Sequence, residues 1–424
     1  MRTLPLAFGA LPVIVLSALG VLGTGACSGG SSSAPSDPAA PAADAGPPVE
    51  HLDAAGDPEG EAGAPVACPR TPKADDHVRK VVVSHPFDAA SQKAKAYEVL
   101  ELSAAGQLTK TGTTFTMRTA FNEIAFTPDG KIGLVPQDDG SIGVFAFDDA
   151  GKVTVVNEGV TGKFYADHIL VAKDGQHAFV LDANTEANGG GVHQFTIGCD
   201  GTLTYDALVV TGGQAHAMTF MPGDPDRAVL IAYKALDSAP GSYAHRIDFS
   251  GAKPKRLASG PVFDDADAIA SWVAVTSDGK YALVTDNGFS KGSRMAPVAL
   301  GDMTKRATIA TPNPAAVVMS PFGNALLLLS SDGADALHVV HYDATNDAQP
   351  FTIGALVTLL GGKTDLPTLA SVIDRGTLKG RTLVAENLAV RQLAFAADGT
   401  ITDVGAKVDF VDLTGIVGSL GVEP

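Results

Sequence analysis

Two histidines, His168 and His216, occupy the positions in this sequence that are best suited to chemistry. Each lies at the start of a short run of apolar residues, beside polar neighbours such as Asp167. Imidazole can act as a general base or bind a metal near neutral pH, which predicts a catalytic role for both residues. A histidine that begins a strand also serves as a structural hydrogen-bonding group, and that alternative stays open.

A second group of polar residues follows the apolar runs. Its members are candidates for binding a ligand: Asp138, Asp182, Lys234, Asp286 and Glu386. Carboxylates outnumber cations in this group, which favours a cation, a metal or a hydroxyl-rich ligand over a phosphate. Lys234 could hold a carboxylate or an oxyanion, or it could simply neutralise neighbouring aspartates.

The segment from Asp182 to Gly189 places oxygen-bearing side chains at every second residue, which resembles a calcium-binding loop. It lacks the glycine at the sixth position and the final glutamate, so an ordinary polar loop is the alternative. The sequence contains no Cys-x-x-Cys-His motif for haem and no Gly-x-Ser-x-Gly turn for a nucleophile. We therefore expect no cofactor, with calcium as the one exception to test.

The elements that position these residues recur along the chain. One unit consists of two β-runs joined by an Asp-Gly turn, as in residues 124–135, 169–180 and 273–284. Asp-Gly between apolar runs predicts a hairpin, because both residues tolerate the positive φ that such turns require. An outer hairpin with a glycine near its tip follows most units, for example at Asp200-Gly201.

The ends of the second β-run in each unit give the number of units. They are 45–55 residues apart and fall at Ser84, Gln137, Asp182, Tyr233, Asp286, Ser331 and Glu386. Seven units of four short antiparallel strands predict an all-β fold, a seven-bladed β-propeller. The first unit lacks an innermost strand before Val78, so we expect Val408 to Ile416 to supply it and close the ring by pairing the chain ends. Two stacked β-sandwiches are the alternative.

In a propeller, the starts of the inner strands and the loops after the second strands meet at one mouth of the central channel. The residues of interest expected there are Glu123, Asp138, Asp167, His168, Asp182, His216, Lys234, Trp272, Asp286, Asp332 and Glu386. A concave site with convergent polar groups predicts ligand binding. A hydrated acidic funnel without a dedicated ligand is the alternative.

The units resemble those of the lactonase-type seven-bladed propellers, the family that includes bacterial 6-phosphogluconolactonase and related surface-repeat proteins. Asp167-His168-Ile169 is similar to the family's His-led strand, and Gln214-Ala215-His216 to its Arg-His-led strand. The resemblance implies a hydrolase that opens a sugar lactone or a related ester. The family's arginines would fall at Ala215 and Gly288, and its glutamate at Lys234, so this chain departs from the lactone-opening pattern. We therefore expect a binding or scaffold protein, with lactonase-like hydrolysis as the alternative.

The N-terminus resembles a bacterial lipoprotein signal. Residues 1–26 contain one charge, an apolar stretch and small residues before Cys27, whose thiol would be lipidated. Residues 27–76 form a predicted flexible, acidic tether rich in Gly, Ser, Ala and Pro, and residues 77–424 the predicted propeller. Ser28, where some lipoproteins carry Asp, resembles the outer-membrane sorting pattern of Gram-negative bacteria. We expect a lipid-anchored protein of the cell envelope, on the periplasmic side or at the surface; an uncleaved membrane helix is the alternative.

Composition limits the partners. The chain has 424 residues and a formal net charge of −17, which argues against nucleic acid. The expected partners are the membrane, through the lipid anchor, and a small molecule or an envelope protein. We expect the protein to be a monomer.

The three cysteines predict one disulfide. With Cys27 lipidated, Cys68 and Cys199 are the remaining thiols, and an oxidising compartment favours a bond between them. Cys68 lies just before the first blade and Cys199 in the tip of an outer hairpin, so both should be at the surface. The chain-entropy model gives a stabilisation of about 4–5 kcal/mol as an upper figure. Two separate thiols are the alternative.

Overall fold

The computed structural model describes residues 68–85, 96–120, 122–183, 190–233, 241–251, 253–286, 293–311, 313–330, 337–360, 366–410 and 417–424. Their regular secondary structure consists of β-strands. Among these residues there is no helix of the length and apolarity that crossing a membrane requires. The predicted signal, Cys27, most of the tether, Lys234, Gly288 and Asp332 lie outside the described residues.

The described residues form 29 strands. In chain order these are β1 (Arg79–His85), β2 (Ala96–Leu102), β3 (Leu108–Thr116), β4 (Ala125–Phe126), β5 (Ile132–Pro136), β6 (Ile142–Phe147), β7 (Val153–Val160), β8 (Ala166–Val171), β9 (His177–Asp182), β10 (Gly191–Ile197), β11 (Leu203–Thr211), β12 (Gln214–Met221), β13 (Asp224–Tyr233), β14 (Ser242–Asp248), β15 (Lys255–Pro261), β16 (Ala270–Val275), β17 (Tyr281–Asp286), β18 (Arg294–Ala299), β19 (Thr304–Lys305), β20 (Ile309–Ala310), β21 (Pro314–Met319), β22 (Ala325–Ser330), β23 (Leu337–Tyr342), β24 (Phe351–Leu356), β25 (Leu369–Val372), β26 (Arg381–Glu386), β27 (Ala389–Phe395), β28 (Ile401–Asp409) and β29 (Ser419–Val422).

The strands form seven antiparallel sheets arranged in a ring. Blade 1 has the order β29-β1-β2-β3, and blades 2 to 7 are β4–β7, β8–β11, β12–β15, β16–β20, β21–β24 and β25–β28. The inner strand is β29 in blade 1 and the first strand in chain order in each other blade. Each inner strand contacts the inner strands of both neighbouring blades, all the way round the ring. This arrangement confirms the seven-bladed propeller and excludes the pair of β-sandwiches.

The second strand of each blade is buried because neighbouring blades cover both of its faces. Every residue of β17 and of β22 is buried. Leu327 in blade 6 and Val384 in blade 7 belong to one hydrophobic cluster, which shows how adjacent blades pack face to face. Strands covered on both faces have near-continuous apolar sequences, and this is why the second β-run of each unit was so clear in the sequence.

The Asp-Gly turns connect the first and second strands. In blade 2, the Asp129 carboxylate accepts hydrogen bonds from the Thr127 hydroxyl (2.6 Å) and the Lys131 backbone N–H (3.1 Å), and Gly130 has a φ of 68°. The turn at Asp278 repeats both bonds. The side chain of the aspartate and the positive φ of the glycine therefore form the predicted hairpins.

The chain ends close the ring, but with a different strand from the one predicted. β29 pairs with β1, from Ser419 opposite Ser84 to Val422 opposite Val81. The predicted closing segment, Val408 to Ile416, was wrong: Val408 lies in the outer strand β28, and residues 411–416 lie outside the described residues. The last outer hairpin extends to Asp409, so its apolar residues belong to blade 7.

The closing strand leaves no space for a side chain at Gly421. A Cβ atom there would lie 2.6 Å from the Ile124 Cβ and 2.7 Å from the Ile124 carbonyl oxygen. We expect Gly421→Ala to lower the free energy of unfolding by about 1–3 kcal/mol, the usual cost of overpacking. Denaturant unfolding measures this change. Gly301→Ala is the control, because a Cβ there meets nothing within 4 Å; equal costs for both variants would contradict the close approach.

The chain enters the ring at the end that carries the Asp-Gly turns, which we call the turn end; the opposite end is the mouth end. Residues Cys68 to Val78, the N-terminal strap, lie before β1. Cys68 and Cys199 form a disulfide with their Cα atoms 5.3 Å apart, and Cys199 lies in the turn between β10 and β11. Residues 68–76, the last part of the predicted tether, make hydrogen bonds to the blades.

Candidate functional site

Four inner strands carry an extra residue near their start, at the mouth end. The register shifts in β8, β12, β16 and β21 leave these residues unpaired with the second strand: Asp167, His216, Ser271 and Ala315. Such a bulge changes the direction of a side chain and is frequent beside functional sites. The mouth of blades 3 to 6 is therefore lined by residues whose orientation simple strand alternation does not give.

The first close pair at the mouth joins two of these extra residues. His216 Nδ1 lies 3.5 Å from the Asp167 carboxylate of the preceding blade. Asn122 holds Asp167 in place by donating a hydrogen bond from Nδ2 to its backbone oxygen (2.5 Å). His216 Nε2 is buried and has no hydrogen-bond partner among the described residues. An imidazole oriented by a carboxylate, with its second nitrogen unused, can accept a proton or bind a ligand.

The second pair lies around Trp272. His168 is 6% exposed, and its Nε2 lies 3.9 Å from the Glu123 carboxylate. Its ring meets the edge of the Trp272 ring with centroids 5.1 Å apart. Trp272 belongs to blade 5, yet it packs against hydrophobic clusters shared by blades 5 and 6, 6 and 7, and 7 and 1. The indole therefore reaches across the channel and forms an aromatic floor below the mouth.

Several carboxylates lie near Tyr165 at the mouth end. Burial raises the pKa of the Tyr165 hydroxyl, and the nearby carboxylates of Asp167, Asp138 and Asp139 raise it further. Asp138 is exposed, and its backbone oxygen accepts a hydrogen bond from Tyr165 (2.7 Å). Arg118 pairs with Asp139 at 3.1 Å, so part of that negative charge is already neutralised.

Three predicted ligand-binding carboxylates lie at the mouth end of their strands, but their described contacts are within their own blades. Asp182 accepts hydrogen bonds from the Tyr165 backbone N–H (2.9 Å) and lies 3.2 Å from His193 Nε2. Asp286 pairs with Arg294 at 3.1 Å. All three, including Glu386, are at most 1% exposed.

Glu386 belongs to a buried ionic network. Its carboxylate pairs with the Arg391 guanidinium at 2.5 Å, and the same guanidinium pairs with Asp403 at 2.7 Å. All three side chains are 1% exposed. Together with Asp182 and Asp286, this network shows a repeated arrangement in which a carboxylate that ends the second strand contacts a histidine or an arginine on the third. These contacts join the second and third strands of their blades.

Sequence reasoning missed the partners of these carboxylates as well as Asn122 and Tyr165. The basic residues His193, Arg294 and Arg391 each lie within about a dozen residues after the carboxylate, near the start of the next strand. That spacing is a signal that could have assigned the three carboxylates to structure. Asn122 had no comparable signal, because its hydrogen bond depends on the position of the neighbouring blade.

No metal site is evident in the part of the chain that the structure describes: none of its His, Cys, Asp and Glu residues form a group of three or more suited to a metal ion. The predicted calcium loop, Asp182 to Gly189, lies mostly outside that part, at residues 184–189. Asp182 itself is occupied by Tyr165 and His193.

A cleft of about 240 Å³ lies at the turn end, between blades 1 and 2. Three lysines line it, but each has a carboxylate partner: Lys73 with Glu423, Lys80 with Glu101, and Lys131 with Asp149. Its volume is below the range of roughly 300–1,000 Å³ that is usual for small-molecule sites. The mouth, with its unused imidazole nitrogen and aromatic floor, is the better candidate.

No protein-family model and no curated protein sequence matches the chain. Solved structures similar to it include the periplasmic gluconolactonase of Pseudomonas aeruginosa, with 14% sequence identity and a TM-score of 0.59 over 81% of this chain and 99% of that protein. A protein of Bacteroides uniformis proposed to be a 6-phosphogluconolactonase has 13% identity and a TM-score of 0.59 over the same shares. A protein of Bacteroides fragilis, proposed to have the same activity, has 15% sequence identity and a TM-score of 0.57 over 83% of this chain and 99% of that protein. These likenesses confirm that the chain has the lactonase-type propeller fold.

Proposed function

We propose that the protein is a lipid-anchored binding protein of the cell envelope, and that its ligand site is the mouth of the propeller. The site consists of Glu123, Asp167, His168, His216 and Trp272. One observation carries the proposal: two histidine–carboxylate pairs that join neighbouring blades lie at the mouth end, and the histidine of one pair contacts a partly buried indole. The likeness in fold to a periplasmic gluconolactonase supports an envelope location.

The chemistry of the site favours a cationic or hydroxyl-rich small molecule. An indole face attracts cations and also packs against the apolar face of a sugar ring. Carboxylates and imidazoles accept hydrogen bonds from hydroxyl or ammonium groups. The position where the lactonase pattern has an arginine is Ala215, which is 0% exposed and packs in a hydrophobic cluster. The cation that would hold an anionic substrate at that position is therefore missing.

Hydrolysis of a lactone or a related ester is the second candidate. Asp167 orients His216, whose free Nε2 could take a proton from a water that attacks a carbonyl carbon. The fold shared with a gluconolactonase supports this candidate, but fold alone does not determine chemistry.

Titration calorimetry distinguishes these candidates. We expect a neutral hexose or tetramethylammonium to bind, and His216→Ala or Trp272→Ala to raise its Kd about tenfold or more, equivalent to about 1.4 kcal/mol. His177→Ala is the matched control, since His177 pairs with Asp174 at 3.1 Å but at the turn end. The binding proposal fails if neither probe binds, or if the mouth variants bind as the wild type does. Turnover of gluconolactone that is lost in His216→Ala would favour the hydrolase.

A further inference from the structure

The N-terminal strap begins on blade 3 and is fixed there by more than its disulfide. Arg70 donates a hydrogen bond to the Gly198 carbonyl (2.7 Å), in the same turn as Cys199, and pairs with Asp129 of blade 2 at 3.2 Å. Arg70 also packs so closely over Gly175 that a Cβ atom there would lie 2.6 Å from the Arg70 Cδ. The first residues of the strap therefore join blades 2 and 3.

The middle of the strap contacts the closing strand of the ring. Lys73 pairs with Glu423, the residue directly after β29. Glu423 is 1% exposed, and its second oxygen accepts the backbone N–H of Lys80 in β1 (2.8 Å). The Glu423 carboxylate thus connects the strap to β1 and to the end of β29, the two strands that pair to close the ring.

The last residues of the strap reach blade 7. The Asp76 carboxylate accepts hydrogen bonds from the Thr377 backbone N–H (2.7 Å) and hydroxyl (2.9 Å), and these bonds lower the pKa of Asp76. Arg375 lies 3.5 Å from Asp75, whose backbone oxygen also accepts a hydrogen bond from Arg79 (2.5 Å). The strap therefore runs across blades 3, 2, 1 and 7 and crosses the place where the ring closes.

That closure is short. β29 has four residues and pairs with β1 over four positions. Terminal segments open locally at a lower free energy than the core, and a short strand has few hydrogen bonds to break. A second connection across the same place would restrict this opening.

We propose that the strap is a redox-dependent lock on the ring closure. The Cys68–Cys199 disulfide holds the strap in place, and the strap holds β29 through Lys73 and Glu423. Reduction by a dithiol breaks the S–S bond: two electrons and two protons give two cysteine thiols, while the dithiol is oxidised to its own disulfide. Cys199 is exposed, so a reductant can reach it. The lock then forms only in an oxidising compartment.

Hydrogen exchange of the full-length protein tests this lock. Reducing the folded wild type with dithiothreitol should make the amides of β29 and of Val81 to Ser84 exchange about tenfold faster or more, because opening of the closure becomes easier. The second strand of blade 5, β17, should exchange as before, since no described contact joins it to the strap. Cys199→Ser should reproduce the effect without a reductant. If only residues near Cys199 exchange faster, the disulfide is a local link and the proposal is wrong.

A variant with an intact disulfide tests the contribution of the strap's ion pair separately from that of the disulfide. Lys73→Gln removes the ion pair with Glu423 but leaves both cysteines. We expect this variant to raise the amide exchange rate of β29 in the oxidised protein. Adding dithiothreitol should then raise that rate by a smaller factor than in the wild type. If the amide exchange rate of β29 in the oxidised variant equals that of the oxidised wild type, the proposal that the strap holds β29 through Lys73 is wrong.

Discussion

Replacing Arg391 with methionine should lower the free energy of unfolding by about 3–5 kcal/mol, a large share of the stability of a typical domain. The guanidinium lies between the carboxylates of Glu386 and Asp403, at 2.5 Å and 2.7 Å, and all three side chains are buried. Without the cation, the two buried carboxylates lose the guanidinium that lies between them. Chemical denaturation followed by fluorescence measures the loss.

Two further variants show whether the cost comes from the uncompensated charges. Adding Glu386→Gln and Asp403→Asn to Arg391→Met removes both charges and should recover part of the loss. Lys131→Met breaks an exposed ion pair with Asp149 and should change stability little, because water screens such pairs. A cost for Arg391→Met no larger than that for Lys131→Met would contradict the buried network.

Cys27→Ser should move the protein completely out of the membrane fraction. The proposed anchor requires a thiol at this position, and a hydroxyl cannot form the thioether that carries the lipid. Cell fractionation with antibody detection gives the distribution, and mass spectrometry of the wild type gives the mass of the lipidated N-terminus. A variant that stays in the membrane fraction with an intact mature N-terminus would disprove the anchor.

The sorting proposal has a separate test. Ser28→Asp keeps Cys27 and its lipid but changes the residue that resembles the outer-membrane pattern. We expect this variant to remain membrane-bound and to move from the outer to the inner membrane on a density gradient. An unchanged distribution would leave the anchor in place and remove the sorting argument.

The fold was predictable because its signal is local and repeated. Asp129 and Asp278 make hydrogen bonds in their turns to residues two positions away, so each turn can be predicted from a short window of sequence. The closing strand was not predictable in the same way. It is a segment of four residues whose place depends on the packing of Gly421 against Ile124 of another blade.

The contacts of the candidate site were only partly predictable. The structure places His168 beside Glu123 and Trp272, and His216 beside Asp167, while a ligand-binding or catalytic role for these residues stays a prediction. The strand-end carboxylates such as Asp286 lie at the same end, but their described side-chain contacts include a histidine or an arginine of the next strand. The sequence shows where a strand ends; it does not show which face a side chain takes after a bulge, or which partner it meets.

The position of the strap would give a lipid-anchored protein a polarity. The chain enters the body at Cys68, at the turn end, whereas the inner strands begin at the opposite end with Asp167 and His216. If residues 28–67 form the proposed flexible linker, the root-mean-square reach of that linker would be about 35 Å. In such a protein, the point of attachment and the candidate ligand site would lie at opposite ends of the ring.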